Sequence, residues 1–226
     1  MASKGNRVNK KSHIIELFDF DNKQGSVIIG TDEAGRGPAA GGVFAAAVYF
    51  PNKEKSLIEQ LESLNDSKQL SKKKREHLFE IIKNNTVNSV VCVEVEEIEK
   101  INILNSSLKA MRLACENVIR DINKDKMLVL IDGNKLIKEF SYPQKFVVKG
   151  DSKSASIAAA SILAKVSRDR YMEELNSKYP QYHWANNAGY LTKEHLAAID
   201  KYGLCEFHRP SFLKKHFERQ KQLSLF

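Results

Sequence analysis

The chain has 226 residues, 42% of them hydrophobic, and a formal net charge of +8. That size suits one full-sized domain with a core of its own. No stretch approaches the ~18 unbroken apolar residues of a membrane span, and the polar, basic first residues lack the apolar segment of a secretion signal, so no membrane association and a cytoplasmic location are expected. Cys92, Cys115 and Cys205 are few, odd in number and widely spaced, which predicts reduced thiols and excludes a disulfide framework or a CxxC zinc site. The positive charge suits a polyanionic partner, since each neutralised phosphate releases counterions.

In chain order, residues 1–25 read as a basic, mobile arm with one short amphipathic piece at 14–20. Residues 26–31 (SVIIGT) and 42–50 (GVFAAAVYF) predict two strands. The glycine-rich segment 32–41 between them predicts a tight return and an antiparallel pair. Residues 56–64 and 71–84 predict helices, the second with Ser71 as N-cap. Residues 88–95 predict a third strand. Residues 103–122 predict a longer helix with Leu104, Leu108, Met111, Cys115, Val118 and Ile119 on one face. The all-apolar run 127–131 (MLVLI) reads as an inner strand buried on both faces. A short strand follows at 145–148. Residues 154–179 predict one long helix whose first half is small and apolar, as close packing on a sheet requires. A helix at 192–202 and a basic tail from 209 complete the chain. Antiparallel strands followed by alternating strands and helices predict an α/β fold with a mixed sheet.

Three of the predicted strands run into acid. Asp32 and Glu33 follow the first, Asp132 follows MLVLI, and Asp151 follows KFVVKG. Adjacent strands lie about 4.8 Å apart, so carboxylates at their ends converge. Such a cluster of like charges is unfavourable unless a cation offsets it. Mg²⁺ and Mn²⁺ are hard ions that favour oxygen ligands. Two of them about 3.5–4 Å apart can clamp the attacking and leaving oxygens of a phosphoryl displacement.

The motifs around these acids resemble one family. Residues 32–38 (DEAGRGP), 64–70 (LNDSKQL), 131–134 (IDGN), 149–152 (KGDS) with 159–169 (AASILAKVSRD), and 189–192 (GYLT) with His195, Gly203 and 208–212 (HRPSF) are similar, in order and spacing, to the signatures of ribonuclease HII. The resemblance spans about residues 26–213. Leu191 and Pro210 depart from its usual proline and arginine; neither touches an acid. The resemblance implies an RNase H-like fold: a five-stranded mixed sheet flanked by helices, with a small C-terminal helical segment. It implies an arm at 1–25, a catalytic domain at 26–213 and a flexible tail at 214–226. It also implies a metal-dependent endoribonuclease with Asp32, Glu33, Asp132 and Asp151 as catalytic metal ligands and Mn²⁺ or Mg²⁺ as cofactor. The expected substrates are RNA–DNA hybrids and DNA carrying ribonucleotides, cut to 5′-phosphate and 3′-hydroxyl ends during ribonucleotide repair and primer removal.

Proteins tell RNA from DNA mainly at the 2′-hydroxyl. Gly35, Arg36 and Gly37 follow the acids directly, and glycine lets backbone groups approach a ligand closely. The family likeness makes this loop and Tyr190 the sensors of the RNA–DNA junction, with Tyr190 stacking on the neighbouring deoxyribose. Threonine stands at Arg36 in the sister family, ribonuclease HIII, which also carries a long N-terminal binding domain; both differences favour the type 2 enzyme. Ser67, Lys68, Lys149 and Lys165 are further substrate contacts, while Lys72, Lys73 and Lys74 read as a solvated charge run. His183, His195 and His208 lack metal-ligand spacing and are assigned structural or phosphate-contact roles.

The last five residues, QLSLF, resemble the pentapeptide by which bacterial repair proteins dock on the DNA sliding clamp. Gln222, Leu223, Leu225 and Phe226 are its expected contacts, and a monomer is expected. Two other readings remain open: a non-catalytic nucleic-acid-binding module, and a different nuclease of the same superfamily. The intact acid quartet opposes the first; the GRG loop and Tyr190 oppose the second.

Overall fold

The computed structural model describes residues 12–122 and 125–223. Strand β1 (Val27–Ala34) lies at the centre of the sheet between β2 (Val43–Tyr49), antiparallel to it, and β4 (Met127–Asp132), parallel to it. The outer strands are β3 (Val87–Val93), antiparallel to β2, and β5 (Gln144–Val147), parallel to β4. The order is therefore 3-2-1-4-5, a five-stranded mixed sheet as expected. MLVLI is indeed an interior strand.

Side chains alternate between the two faces of each strand. Val27, Ile29, Val129 and Ile131 pack with Leu108, Met111, Cys115 and Val118 of helix α5 (Ile103–Ile122). Ile28 and Leu130 point the other way, onto Ile157 of helix α6 (Ala155–Lys178). The remaining helices are α1 (His13–Gln24), α2 (Lys55–Gln60), α3 (Lys72–Asn85), α4 (Val95–Ile101), α7 (Trp184–Asn187), α8 (Lys193–Tyr202) and α9 (Pro210–Leu223). Ser71, Ser154 and Thr192 cap their helices by accepting the N–H of Lys74, Ile157 and His195.

Close approach of α6 to β1 is a matter of side-chain size. Ala155, Ala158, Ala159, Ala160 and Ala164 are fully buried along its inner face. At Gly30 even a Cβ would lie 2.2 Å from the backbone carbon of Ser156, so only glycine lets the helix rest on the strand.

Several expectations need correction. Strand β1 continues past the expected end at residue 31 through Asp32, Glu33 and Ala34, so these are strand and not return loop. The described part of the expected arm is no arm: α1 buries Ile14, Leu17, Phe18 and Asp21, an i, i+3, i+4, i+7 stripe. Asp21 then holds the start of α6. It accepts the Ser154 hydroxyl at 2.5 Å, the Ser156 amide at 2.9 Å and the Ser156 hydroxyl at 2.8 Å. At the other end, the expected flexible tail is helical through Leu223, with Leu213 buried among Tyr182, Trp184 and Ile199. Pro210 opens that helix, where its missing N–H costs nothing. Helix α4 was not anticipated, and α2 ends four residues earlier than expected.

Asp21→Ala leaves the Ser154 and Ser156 donors unpaired inside the core. Urea denaturation should show a loss of about 2 kcal/mol or more with an unchanged m-value. A change below about 0.5 kcal/mol would show that water replaces the carboxylate without cost.

Candidate active site

The alternation of β1 and β4 decides where the acids point. Asp32 shares a face with Ile28 and Gly30, and Asp132 with Leu130, so both lie on the α6 side. The register pairs Thr31 with Ile131, which sets Asp32 and Asp132 side by side on neighbouring strands. Glu33, one residue on, leans to the α5 side. It borders a second, smaller hollow that Asp132 also lines, together with Ser107 and Met111. Asp151 sits in a short 3₁₀ turn (Gly150–Ser152) just past β5. The turn is tied to Asp132, whose Oδ1 accepts the Gly150 amide at 2.6 Å.

The four acids form one electrostatic unit with Asp132 as its hub. Burial raises the carboxyl of Asp32 well above the usual range, and the charges of Glu33 and Asp132 push it further. A hydrogen bond from the Ser161 hydroxyl works the other way, as does the Glu33 amide, which donates to Asp32 Oδ1 at 2.7 Å. Burial also raises Glu33, opposed by Arg36, whose guanidinium lies 3.2 Å from Oε1. Asp151 is raised by burial, then by Asp132 and Asp66. Among the described residues, no three His, Cys, Asp or Glu side chains are gathered so as to hold a metal ion by themselves. The donors are nonetheless all hard oxygens, and their mutual repulsion is what a cation relieves. An open edge of acids suits Mg²⁺ or Mn²⁺, ions that keep waters and take ligands from a substrate phosphate.

A cleft of about 310 Å³ opens over this edge. It brings together Asp32, Glu33, Asp132, Gly35, Arg36, Gly37, Ser67, Lys68, Lys165 and Tyr190. Two expected residues do not line it. Asp151 stays in its turn beside Gly150, outside the cleft lining, and Lys149 is exposed in a left-handed conformation on the other side of Gly150. Ser67 is buried in a 3₁₀ turn (Ser67–Gln69) that Asp66 caps, and its hydroxyl meets that of Ser161 at 2.9 Å. Lys68 is exposed within reach of Glu33 and Asp151, and its charge opposes the upward shift that burial gives both carboxyls. Lys165 is held by Asp169. The Tyr190 ring is exposed and stands against Gly37, where an added Cβ would lie 3.3 Å from its edge.

Ser161 and Arg168 contribute to the cleft without having been assigned a role from the motifs, whereas Lys165, on the same helix face, was an expected substrate contact. Ser161, Lys165 and Arg168 are spaced four and three apart, one face of a helix, and all three line the cleft. That spacing was a usable signal. A histidine pair lies under Tyr190. The His195 ring shares a hydrogen bond with the Tyr190 carbonyl at 2.9 Å, and the two Nε2 atoms of His195 and His208 are 3.2 Å apart. His208 Nδ1 accepts the Cys205 amide at 3.0 Å, and His195 Nε2 accepts from Trp184 at 3.1 Å. His208 Nε2–H therefore donates to His195, and His195 Nδ1–H donates to Tyr190, with both rings neutral. Of the structural or phosphate-contact roles expected, His195 and His208 take the structural one.

An acid-edged cleft at the carboxyl ends of β1 and β4, on a 3-2-1-4-5 mixed sheet, defines a divalent-metal-dependent nuclease of the RNase H-like class. The ribonuclease HII family model matches residues 29–220, and the chain belongs to the ribonuclease HII family. It is 47% identical over 207 residues to the ribonuclease HII of Fusobacterium nucleatum, covering 91% of this chain and 93% of that one. It is 52% identical to that of Caldicellulosiruptor bescii, covering 83% and 86%. Among solved structures, ribonuclease H2 from Pyrococcus horikoshii superposes with a TM-score of 0.64 at 27% identity, covering 86% of this chain and 98% of that one. The fold is therefore RNase H-like, and the protein is a metal-dependent ribonuclease H of type 2. Among the described residues no helix is long and apolar enough to cross a membrane.

The histidine pair gives a pH signature. Burial, then the neighbouring His195, holds His208 down at about 4, against an ordinary value near 6.5. The unfolded chain therefore takes up the proton first. Stability from the neutral pair is full above about pH 6.5 and is lost as pH falls toward 4. The melting temperature should drop across that window, and His208→Gln should flatten the drop; parallel curves for the two proteins would contradict this.

Proposed function

We propose that this enzyme hydrolyses the RNA strand of RNA–DNA hybrids and nicks duplex DNA on the 5′ side of a single embedded ribonucleotide, as a monomer, in ribonucleotide excision repair and RNA primer removal. The observation that carries the reading is the lateral pairing of Asp32 with Asp132 beneath a cleft whose opposite rim is Gly35–Arg36–Gly37 and Tyr190.

Each residue then has a physical task. Asp32 and Asp132 present carboxylate oxygens to one side of the sheet, and Glu33 and Asp151 add charge from either flank. The Gly150 amide occupies one oxygen of Asp132 and leaves the other free for a ligand. Ser161 fixes the direction of the Asp32 carboxylate. Asp32, Glu33, Asp132 and Asp151 would hold two Mg²⁺ or Mn²⁺ ions, which when bound would supply activation of water and charge compensation at the departing 3′ oxygen. Such hydrolysis leaves 5′-phosphate and 3′-hydroxyl ends. Lys68 and Lys165, at the cleft, and Lys149, beside Asp151, receive backbone phosphates. Backbone groups of Gly35–Gly37 face the ribose 2′-hydroxyl, and the Tyr190 ring packs on the adjoining deoxyribose. Ser67 braces Ser161 from beneath.

The final pentapeptide is a second, independent docking element in this reading. Gln222 is exposed at the end of α9, and Leu223 is its last residue. Leu225 and Phe226 lie outside the described residues. The motif offers two apolar anchors and a polar contact to a bacterial sliding clamp; short motifs of this kind bind transiently.

Duplex DNA carrying one ribonucleotide, incubated with Mg²⁺ or Mn²⁺, should be nicked once, 5′ of that nucleotide. Asp132→Asn should lose at least about 10³-fold in rate, the scale of a lost electrostatic contributor. Cleavage of an all-DNA duplex at a comparable rate, or full activity in Asp132→Asn, would overturn the reading. Separately, removing residues 222–226 should abolish capture by the clamp while leaving cleavage of free oligonucleotides unchanged. Capture that survives the truncation would remove the motif from the account.

A further inference from the structure

Two cations are buried beneath the rim of the cleft. Arg168 on α6 is 2% exposed and Arg209, just before α9, is 0% exposed. Neither makes an ion pair with a carboxylate among the described residues. Asp169 and Glu99 act on them only from further away, and the two guanidiniums repel one another. A buried charge without an ion partner costs several kcal/mol unless hydrogen bonds saturate it. Here hydrogen bonds offset much of that cost, and the acceptors are all backbone carbonyls of the segments that form the rim.

Arg209 Nη1 donates to the carbonyls of Gly35 and Pro38, each at 2.8 Å. Its Nε and Nη2 both donate to the Gly41 carbonyl, at 2.8 and 2.6 Å. Arg168 Nη2 donates to Ala40 and Ala188, each at 3.1 Å, and its Nε to Gly42 at 3.3 Å. Ala188 lies two residues before Tyr190, so Arg168 joins the loop after β1 to the segment that carries the tyrosine. A planar fork of donors is what lets one side chain hold several carbonyls at fixed angles.

The Gly35 contact has a directional consequence. In a trans peptide the carbonyl and the following N–H point opposite ways. With the Gly35 oxygen drawn inward to Arg209, the Arg36 N–H is turned outward, toward the cleft that Arg36 lines. Among the described residues that N–H has no backbone acceptor. Gly35 reaches this arrangement at φ +102°, and a Cβ there would lie 2.3 Å from Arg168 Nε. The glycine and the arginine therefore fit each other.

We propose that Arg209 and Arg168 are specificity-determining positioning residues: they lock the Gly35–Arg36 peptide with its N–H facing the cleft and hold Tyr190's segment beside it, so that a ribose 2′-hydroxyl meets a preset donor. This rests on the reading of the loop as the ribose sensor. A donor fixed before binding carries no ordering cost when the hydroxyl arrives. Without the arginines the peptide is free to flip, and the sensor loses its ability to tell ribose from deoxyribose while the phosphate contacts persist.

The test is equilibrium binding with Mg²⁺ in an Asp132→Asn background, comparing a duplex with one ribonucleotide to the all-deoxy duplex. The background protein should prefer the ribonucleotide duplex by about tenfold, the worth of about one charge-free hydrogen bond. Adding Arg209→Lys should bring the ratio to about one while all-deoxy affinity stays within about twofold, since charge is kept and only the fork is lost. A ratio retained in a cooperatively melting Arg209→Lys protein overturns the proposal, as does an equal loss of affinity for both duplexes. If Arg209→Lys does not melt cooperatively, Arg168→Lys is judged by the same ratio, and an unchanged ratio there overturns it too. A background protein with no preference at all refutes the ribose-sensor reading itself, and the proposal falls with it.

Discussion

Helix α6 lies on β1 with almost nothing between the two backbones. Alanine and serine line the inner face of the helix, and Gly30 leaves the strand bare where they meet. Because the helix is this close, Ser161 reaches the Asp32 carboxylate and Ser67 reaches Ser161. Two turns further along, Arg168 reaches the loop after β1. A bulkier residue at Gly30 would lift the helix and withdraw all of these partners together. Asp21 on α1 supports the same contact from behind by holding the first turn of α6.

That geometry sets the electrostatics. Placing Asp32 and Asp132 on one face of two parallel strands, with Glu33 and Asp151 at the flanks, concentrates negative charge in a partly dry edge. Burial, not mutual repulsion, is the largest contribution raising Asp32, Glu33 and Asp151. Desolvated carboxylates of this kind gain most from a divalent cation, because the ion restores the favourable environment that water supplied in the unfolded chain. The cleft thus combines an edge that calls for cations with a rim supplied with them. Arg36 and Lys68 act on the acids directly, while Arg168 and Arg209 spend their charge on carbonyls.

The fold was legible where residue patterns are strong. MLVLI could only be an interior strand, and the stripe from Leu108 to Ile119 could only be an amphipathic helix. The acids were legible because each follows an apolar run, which places it at the end of a strand. What was hidden follows from short range and mixed composition. Helix α1 was legible only as a short amphipathic piece at 14–20, because the last of its four buried residues is the polar Asp21. Helix α4 is acidic and two turns long. That Glu33 leans away from Asp32 required knowing that β1 continues past Thr31. The contacts of Arg168 and Arg209 with the loop after β1 reach carbonyls more than a hundred positions distant in the chain, which no local pattern reveals.

The central claim is that Asp32, Glu33, Asp132 and Asp151 serve one metal site. The most direct measurement is a crystal of the enzyme with Mn²⁺ and an uncleaved ribonucleotide-containing duplex, mapped by anomalous scattering at the manganese edge. The account predicts anomalous peaks touching Asp32 and Asp132, with Glu33 and Asp151 in contact with the same ions. Manganese elsewhere on the protein, with these four carboxylates bare beneath bound substrate, would contradict it.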